Sequence, residues 1–168
     1  IRRAQPDDRP SLFRLIGGLV DQQNLNWLIR YRFNYELSAS ETYYLLIPFG
    51  LQLHRDQLLA LVNLDSIEQV IESLPPPLAA ALAEATSPME IEQALQEKAA
   101  VQVGHCLKHE RSAVCRTLAY LVLREIDLKK VFAITRGKAL ELDQELIRTT
   151  IGITRPKHTP DLEAGEHV

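Results

Sequence analysis

Ser87-Pro88-Met89-Glu90-Ile91-Glu92-Gln93-Ala94-Leu95 opens the stretch whose reading decides the fold. A hydroxyl stands before a proline and a glutamate follows three positions later. Ser87 and Glu90 can therefore each satisfy an orphan backbone donor, while Pro88 sacrifices no hydrogen bond at the first helical position. Behind this start the apolar residues keep a helical period through Ile91, Ala94, Leu95, Val101, Leu107, Val114, Leu118, Leu121, Val122 and Leu128. One break is expected near Gly104.

The same grammar extends in both directions. Upstream, Leu12, Leu15, Ile16, Leu19, Val20, Gln23, Trp27, Leu28 and Tyr31 recur at spacings of three and four behind Pro10, which suits a first helical turn. Ser38-Ala39-Ser40-Glu41 reads as a capping box, and Asp65-Ser66-Ile67-Glu68 as a second start with Asp65 as its cap. Downstream, Gly137 and Asp143 mark a stop and a restart, with a short helix running to Ile151. Two connectors interrupt the helices: Ile47-Pro48-Phe49-Gly50, and Leu74-Pro75-Pro76-Pro77-Leu78, whose prolines are expected to be extended and to separate helices. No run alternates apolar and polar residues with β-branched enrichment, so the expectation is an all-α fold.

The chain of 168 residues is 46% apolar and 24% charged, which argues against global disorder and bounds it at one or two domains. Its 19 basic residues against 22 acidic ones leave a net charge of −3, giving no bulk electrostatic case for nucleic acid or anionic lipid. Cys106 and Cys115 are too few for a disulfide scaffold and read as reduced thiols of an intracellular protein. No apolar run reaches the roughly 18–20 residues of a membrane span, and no signal peptide is visible at Ile1. The opening on Ile1 and the single Met89 suggest a piece of a longer protein. Three segments are expected: a helical module over 1–86, a long-helix module over 87–155 packing on it, and a frayed tail over 156–168. A weak internal repeat pairs Leu25, Leu28, Tyr31, Asn34 and Leu37 with Leu128, Val131, Ile134, Gly137 and Leu140, then Glu41 and Ile47 with Glu145 and Ile151 after a one-residue insertion.

Chemistry-bearing motifs are missing. Arg136-Gly137-Lys138 lacks the first glycine and the trailing hydroxyl of a phosphate loop, since Phe132 and Ala139 hold those places. No Gly-x-Ser-x-Gly elbow occurs. His105-Cys106-x-x-His109, with Cys115 beyond, puts two histidines on one helix face at a zinc-compatible spacing. It has no completing carboxylate or second cysteine pair, and Ala113 stands where a metalloprotease needs its second histidine. Buried thiols beside surface histidines are the reading. Arg9, Arg14, Arg30 and Arg32, interleaved with Trp27, Tyr31, Phe33 and Tyr35, read as a charged face over core-spaced aromatics. No catalytic, cofactor-binding or metal residue is assigned, and no cofactor is expected.

Two stretches do resemble something specific. Asp21-Gln22-Gln23-Asn24-Leu25-Asn26-Trp27-Leu28-Ile29-Arg30, followed by Leu46-Ile47-Pro48-Phe49-Gly50-Leu51-Gln52-Leu53, resembles a helix of the C-subunit family of V-type/A-type ATPases (ATP synthases), related to the eukaryotic V-ATPase d subunit. In that family the helix carries an acidic residue, then Asn-Leu, then Leu and Arg, and leads to a short Pro-x-Gly connector. Leu121-Val122-Leu123-Arg124-Glu125-Ile126-Asp127-Leu128-Lys129-Lys130-Val131-Phe132-Ala133-Ile134, with Arg136-Gly137-Lys138 next, is similar to the family's C-terminal helix. Met89 to Leu95 fits its intervening Leu-Glu-x-x-Leu segment. Lys130 stands where the family usually has Asn, and Phe49 where Gly is common. The family's chains are longer, so this one looks like the C-terminal half.

The resemblance implies a non-catalytic part of a rotary ATPase, built from helical modules arranged as a funnel. Such a part is a socket on the cytoplasmic end of the proteolipid rotor ring, receives the shaft of subunits D and F, and transmits torque for proton or sodium transport. It would be peripheral on the cytoplasmic face, with no nucleic-acid partner and no membrane span of its own. The alternatives are a helical regulatory or nucleic-acid-binding module, with Arg2, Arg3, Arg9, Arg14, Arg30 and Arg32 on phosphates, and a small metal enzyme centred on His105 and His109.

Overall fold

The structure, a computed structural model, describes residues 1, 3–85 and 87–152. Among them are eight α-helices and no strand, as the periodicity predicts. They are α1 (Arg9–Leu28), α2 (Ala39–Leu45), α3 (Arg55–Val62), α4 (Ile67–Glu72), α5 (Pro76–Leu82), α6 (Pro88–His109), α7 (Ala113–Ala139) and α8 (Gln144–Thr150). A 3₁₀ turn at Pro6–Asp8 leads into α1, and a π-helical segment at Ile29–Asn34 leaves it. The chain divides into two compact units, Ile1–Lys129 and Lys130–Val168, with the boundary inside α7. The expected tail, 156–168, lies outside the described residues.

The first unit holds two apolar clusters. One packs Leu25, Leu28 and Ile29 of the first helix against Leu58, Leu61 and Val62 of α3, Val70 of α4, Leu78 and Leu82 of α5, and Ile91 and Leu95 of α6. The other joins Leu12 and Leu15 of α1 to Val103 and Cys106 of α6 and to Cys115 and Ala119 of α7. Helix α1 thus spans both clusters, and α6 lies beside it. Close approach is possible because Gly17 and Gly18 carry no side chain. A Cβ on Gly17 would stand 3.0–3.2 Å from Leu51, and one on Gly18 would run into the amide of Gln102. Gln102 uses that room to donate to the Arg14 carbonyl (2.9 Å) and to accept from Gln22 Nε2 (3.2 Å).

Several start signals hold as read. Ser38 and Ser87 each form a complete capping box, with Glu41 and Glu90 reaching back. Others need correction. The cap of α4 is Ser66, whose hydroxyl accepts from Gln69 N, while Asp65 only donates its backbone N–H to the Gln69 side chain. Of the three prolines, Pro75 alone is extended. Pro76 and Pro77 lie in the first turn of α5, where missing N–H groups cost nothing, and the Pro77 carbonyl accepts from Lys98 Nζ (2.8 Å). Gly104 does not break the long pattern. Helix α6 continues to His109, and the chain turns at Glu110–Ser112, where Ser112 Oγ accepts from Cys115 N (3.0 Å). Gln23, Val101, Val114, Leu121 and Leu128, all placed on the apolar stripes, are exposed.

In the second unit, α7 ends in a Schellman-type turn. Glu141 is left-handed (φ 53°), Leu142 N donates to the Gly137 carbonyl and Glu141 N to that of Lys138. Asp143 then caps α8 through Glu145 N and Leu146 N. Gly137 is needed there, since a Cβ would press into Ile147. The first unit contains the same turn in a wider form, with Glu36 left-handed (φ 55°) two residues before the Ser38 cap. There Tyr35 N donates to the Arg30 carbonyl and Leu37 N to that of Tyr31, each one residue further back than in an α-helix ending. The π-helical segment therefore adds its extra residue to the first copy, whereas the one-residue insertion read from the sequence falls in the second. The register also moves by one: the buried C-cap of α8, Ile151, corresponds to Leu46 and not to Ile47.

Two glycines test this packing in opposite directions. Gly17→Ala is expected to destabilise by about 1–3 kcal/mol, because the Leu51 backbone must give way. Gly104 has nothing within 4 Å of a built Cβ, so Gly104→Ala is expected to stabilise by about 0.5–1 kcal/mol. Urea denaturation of both variants, followed by circular dichroism, reads the two signs.

Candidate functional site

The two separated parts of the first family-like stretch meet in the structure. Asp21 and Asn24 lie one turn apart on α1, 1% and 0% exposed. Asn24 takes both backbone groups of Ile47, donating from Nδ2 to its carbonyl (2.8 Å) and accepting its N–H on Oδ1 (2.9 Å). Asp21 accepts from three consecutive N–H groups: Leu51 (3.1 Å) and Gln52 (2.8 Å) on Oδ2, and Leu53 (3.0 Å) on Oδ1. Gly50 lies directly over the carboxylate, where a Cβ would collide with Asp21 Oδ1 and with the Leu53 carbonyl. The glycine of the connector and the carboxylate of the helix are thus one requirement.

Burial pushes the Asp21 carboxyl above its ordinary range, against the opposing pull of the three N–H donors. A carboxylate whose oxygens are taken up by its own backbone has no access to a substrate. What the clamp does is hold residues 47–53 in one path, and that path leaves apolar side chains outside. Tyr44 (85% exposed), Leu45, Ile47 and Phe49 line the surface along α2 and the connector, with Phe49 edge-on to Phe13 at 5.4 Å.

The second family-like stretch is disposed differently. Between Arg124 and Arg136 no side chain of α7 is fully buried. Arg124 pairs with Asp127 (2.6 Å) and lies over Tyr120, Lys129 pairs with Glu125 (2.8 Å), and Lys130 is exposed. Within Met89–Leu95, Ile91 and Leu95 are core residues and Met89 is exposed.

The His105 and His109 rings lie 4.6 Å apart, tilted by 40°, on the outside of α6, beside an open cleft of about 550 Å³ shared with Asp7, Asp8 and Glu110. Cys106 and Cys115 are buried with free thiols. Among the described residues no three His, Cys, Asp or Glu side chains are grouped to hold a metal ion. Of the arginines, Arg14 pairs with Glu110 (2.9 Å), Arg30 with Glu92 (3.3 Å), Arg32 donates to the Val62 and Leu37 carbonyls, and Arg9 to that of Ala4. Sequence reading missed the link between α1 and the turn after α6, where the Ser11 hydroxyl donates to Glu110 (2.6 Å) beside Arg14. The Gly17-Gly18 pair inside a strong helix was the one available signal of a close neighbour.

Residues 2–150 match the family model described as ATP synthase (C/AC39) subunit. The chain belongs to the C/AC39 subunit family. It is therefore a member of a family of subunits of V/A-type ATP synthase complexes, as the two resembling stretches imply. No curated protein and no solved structure matches it. No described helix is long and apolar enough to cross a membrane. Set against the geometry, the Asp-x-x-Asn-Leu and Pro-x-Gly elements of this C/AC39 chain are two halves of one clamp.

Removing the clamp is expected to act on stability. Asn24→Ala orphans the Ile47 N–H and leaves its carbonyl only the Phe49 N–H (2.8 Å), and a loss of about 1–3 kcal/mol is expected from the one backbone group left without a partner. Asp21→Asn turns an N–H₂ group toward backbone donors and should cost about 1–3 kcal/mol. Denaturant titration of each variant measures both.

Glu110 gives a pH test. The Ser11 hydroxyl and then Arg14 hold its carboxyl below its ordinary value of 4.5. A depressed folded-state value stabilises the protein above about 4.5 and ceases to do so as the pH falls through that lower value. Glu110→Gln should therefore lower the melting temperature at pH 6 to pH 8, where the stabilising carboxylate is present, and this deficit should vanish as the pH falls, flattening the acid side of the profile.

Proposed function

We propose that this chain is a non-catalytic central-stalk component of a rotary V/A-type ATPase, a socket that joins the shaft of subunits D and F to the membrane proteolipid ring. In this role it transmits torque during ATP-coupled transport of protons or sodium, peripheral on the cytoplasmic face. The family match over residues 2–150 carries the reading. The physical character of the chain supports it. A torque-bearing part needs helices with fixed ends and cross-links between them. Here these are the capping boxes at Ser38 and Ser87, the Asp21–Asn24 clamp and the Ser11–Glu110–Arg14 link. It also needs surfaces for other subunits, and the apolar edge of Tyr44, Leu45, Ile47 and Phe49 is the one we assign to docking, because the clamp fixes its shape.

The test is affinity capture of the full-length protein from native membranes, with partners identified by mass spectrometry. Recovery of the proteolipid together with subunits D and F is the expected result, and recovery of neither would overturn the reading. Tyr44→Asp, on a side chain 85% exposed, should lower that recovery several-fold without moving the melting temperature.

A further inference from the structure

The turn that closes α6 onto α7 brings two thiols together. Cys106 lies one turn from the end of α6 and Cys115 one turn into α7. Their sulfurs are 3.0 Å apart, and the Cys106 thiol also faces the Cys115 carbonyl at 3.7 Å. Both are free and buried, at 5% and 0% exposure, in the cluster that ties Leu12 and Leu15 of α1 to this hairpin. Two thiols drawn from different helices and held in contact need little rearrangement to join. Neither belongs to the clamp or to the apolar edge.

We infer that Cys106 and Cys115 are a redox pair that closes into an intramolecular disulfide on exposure to a low-molecular-weight disulfide and reopens under thiols. Cys106, the less enclosed of the two, attacks first. Its thiolate displaces one thiolate from the reagent and becomes a mixed disulfide. Cys115 then gives its proton to solvent, its sulfur attacks Cys106 Sγ, and a second reagent thiolate leaves. The protein loses two electrons and two protons, and one reagent disulfide becomes two thiols. Neither cysteine lines the open cleft walled by Ser11, His105, Glu110 and Ser112, but that cleft borders the same turn and is the side we assign to an arriving reagent.

The surroundings make this a slow device. Burial, the hydrogen bond to Cys106 and the charge of Glu110 push the Cys115 thiol up to about 12, while Arg14 pulls the other way, so closure is not a rapid response near neutral pH. Once closed, the bond covalently joins α6 to α7 across the turn at Glu110–Ser112. That hairpin is part of the stiff frame on which the socket reading rests, but the redox chemistry does not depend on that reading.

Incubation of the full chain with oxidised glutathione, followed by intact mass and peptide mapping under non-reducing conditions, tests the inference. The expected result is a loss of about 2 Da with a Cys106–Cys115 cross-linked peptide. The melting temperature should rise by several degrees and return with dithiothreitol. Cys115→Ala should show neither change, and Cys106→Ala, assayed in parallel, should block the cross-link equally. A product carrying only glutathione adducts, a disulfide-linked dimer, or no change while a small dithiol in the same tube is fully oxidised would each overturn it. Since no other chain of the complex takes part, failure here leaves the capture experiment untouched.

Discussion

Asp21 and Asn24, both buried on α1, hold five backbone groups of a connector that has no secondary structure of its own. Unmade, those bonds would leave polar main chain against an apolar core, which the fold cannot tolerate. Made, they fix where the chain stands when it reaches His54 and begins α3. The position of α3 then decides how Leu58, Leu61 and Val62 meet Leu25 and Leu28, and α4 and α5 close over the same cluster. The clamp is therefore upstream of the packing. It acts at the one place where the hydrophobic effect, being non-directional, cannot specify a path.

The other half of α1 is organised by absence of side chains. Gly17 and Gly18 let the Leu51 backbone and the Gln102 amide come to the helix surface, and the Gln102 amide then ties α6 to α1. Two glycines in a helix interior are unfavourable to that helix taken alone. Their cost is offset by contacts that a Cβ would forbid. The same logic recurs at Gly50 over the Asp21 carboxylate and at Gly137 against Ile147, so four glycines mark four close approaches.

How much of this was legible follows from range. Ser38 with Glu41 and Ser87 with Glu90 act within one turn, and both were readable from spacing. So was the all-α class, from period alone. Position by position the reading was weaker. Asp65 and Ser66 are neighbours of similar capping propensity that only the tertiary path separates, and the break expected at Gly104 does not occur because α6 runs through it to His109. The π-helical segment at Ile29–Asn34 was not visible in the sequence, and the equivalence of Ile47 with Ile151 is one residue off from the structural one. Exposure of Val114, Leu121 and Leu128 was invisible, because a helical period shows that a stripe exists and not what covers it. The clamp needed both: the resemblance named its two stretches, and the structure joined residues 21 and 24 to residues 47–53.

That junction changes what the family-like motif means. A polar residue kept for a ligand has to leave a lone pair or a proton toward solvent. Asp21 and Asn24 are 1% and 0% exposed, and each of their oxygens and the amide nitrogen bonds main chain. Their spacing encodes architecture. The similar residues on α7 are in the opposite condition: Asp127 is 45% exposed at its side chain and pairs with Arg124, and Lys130 is exposed. An exposed i,i+3 pair of this kind contributes little to folding. The C-terminal reach of α7 therefore presents surface charge rather than buried contacts that hold the fold. The chain divides in this way: buried polar residues fix the frame, and exposed charged and apolar ones form the surface.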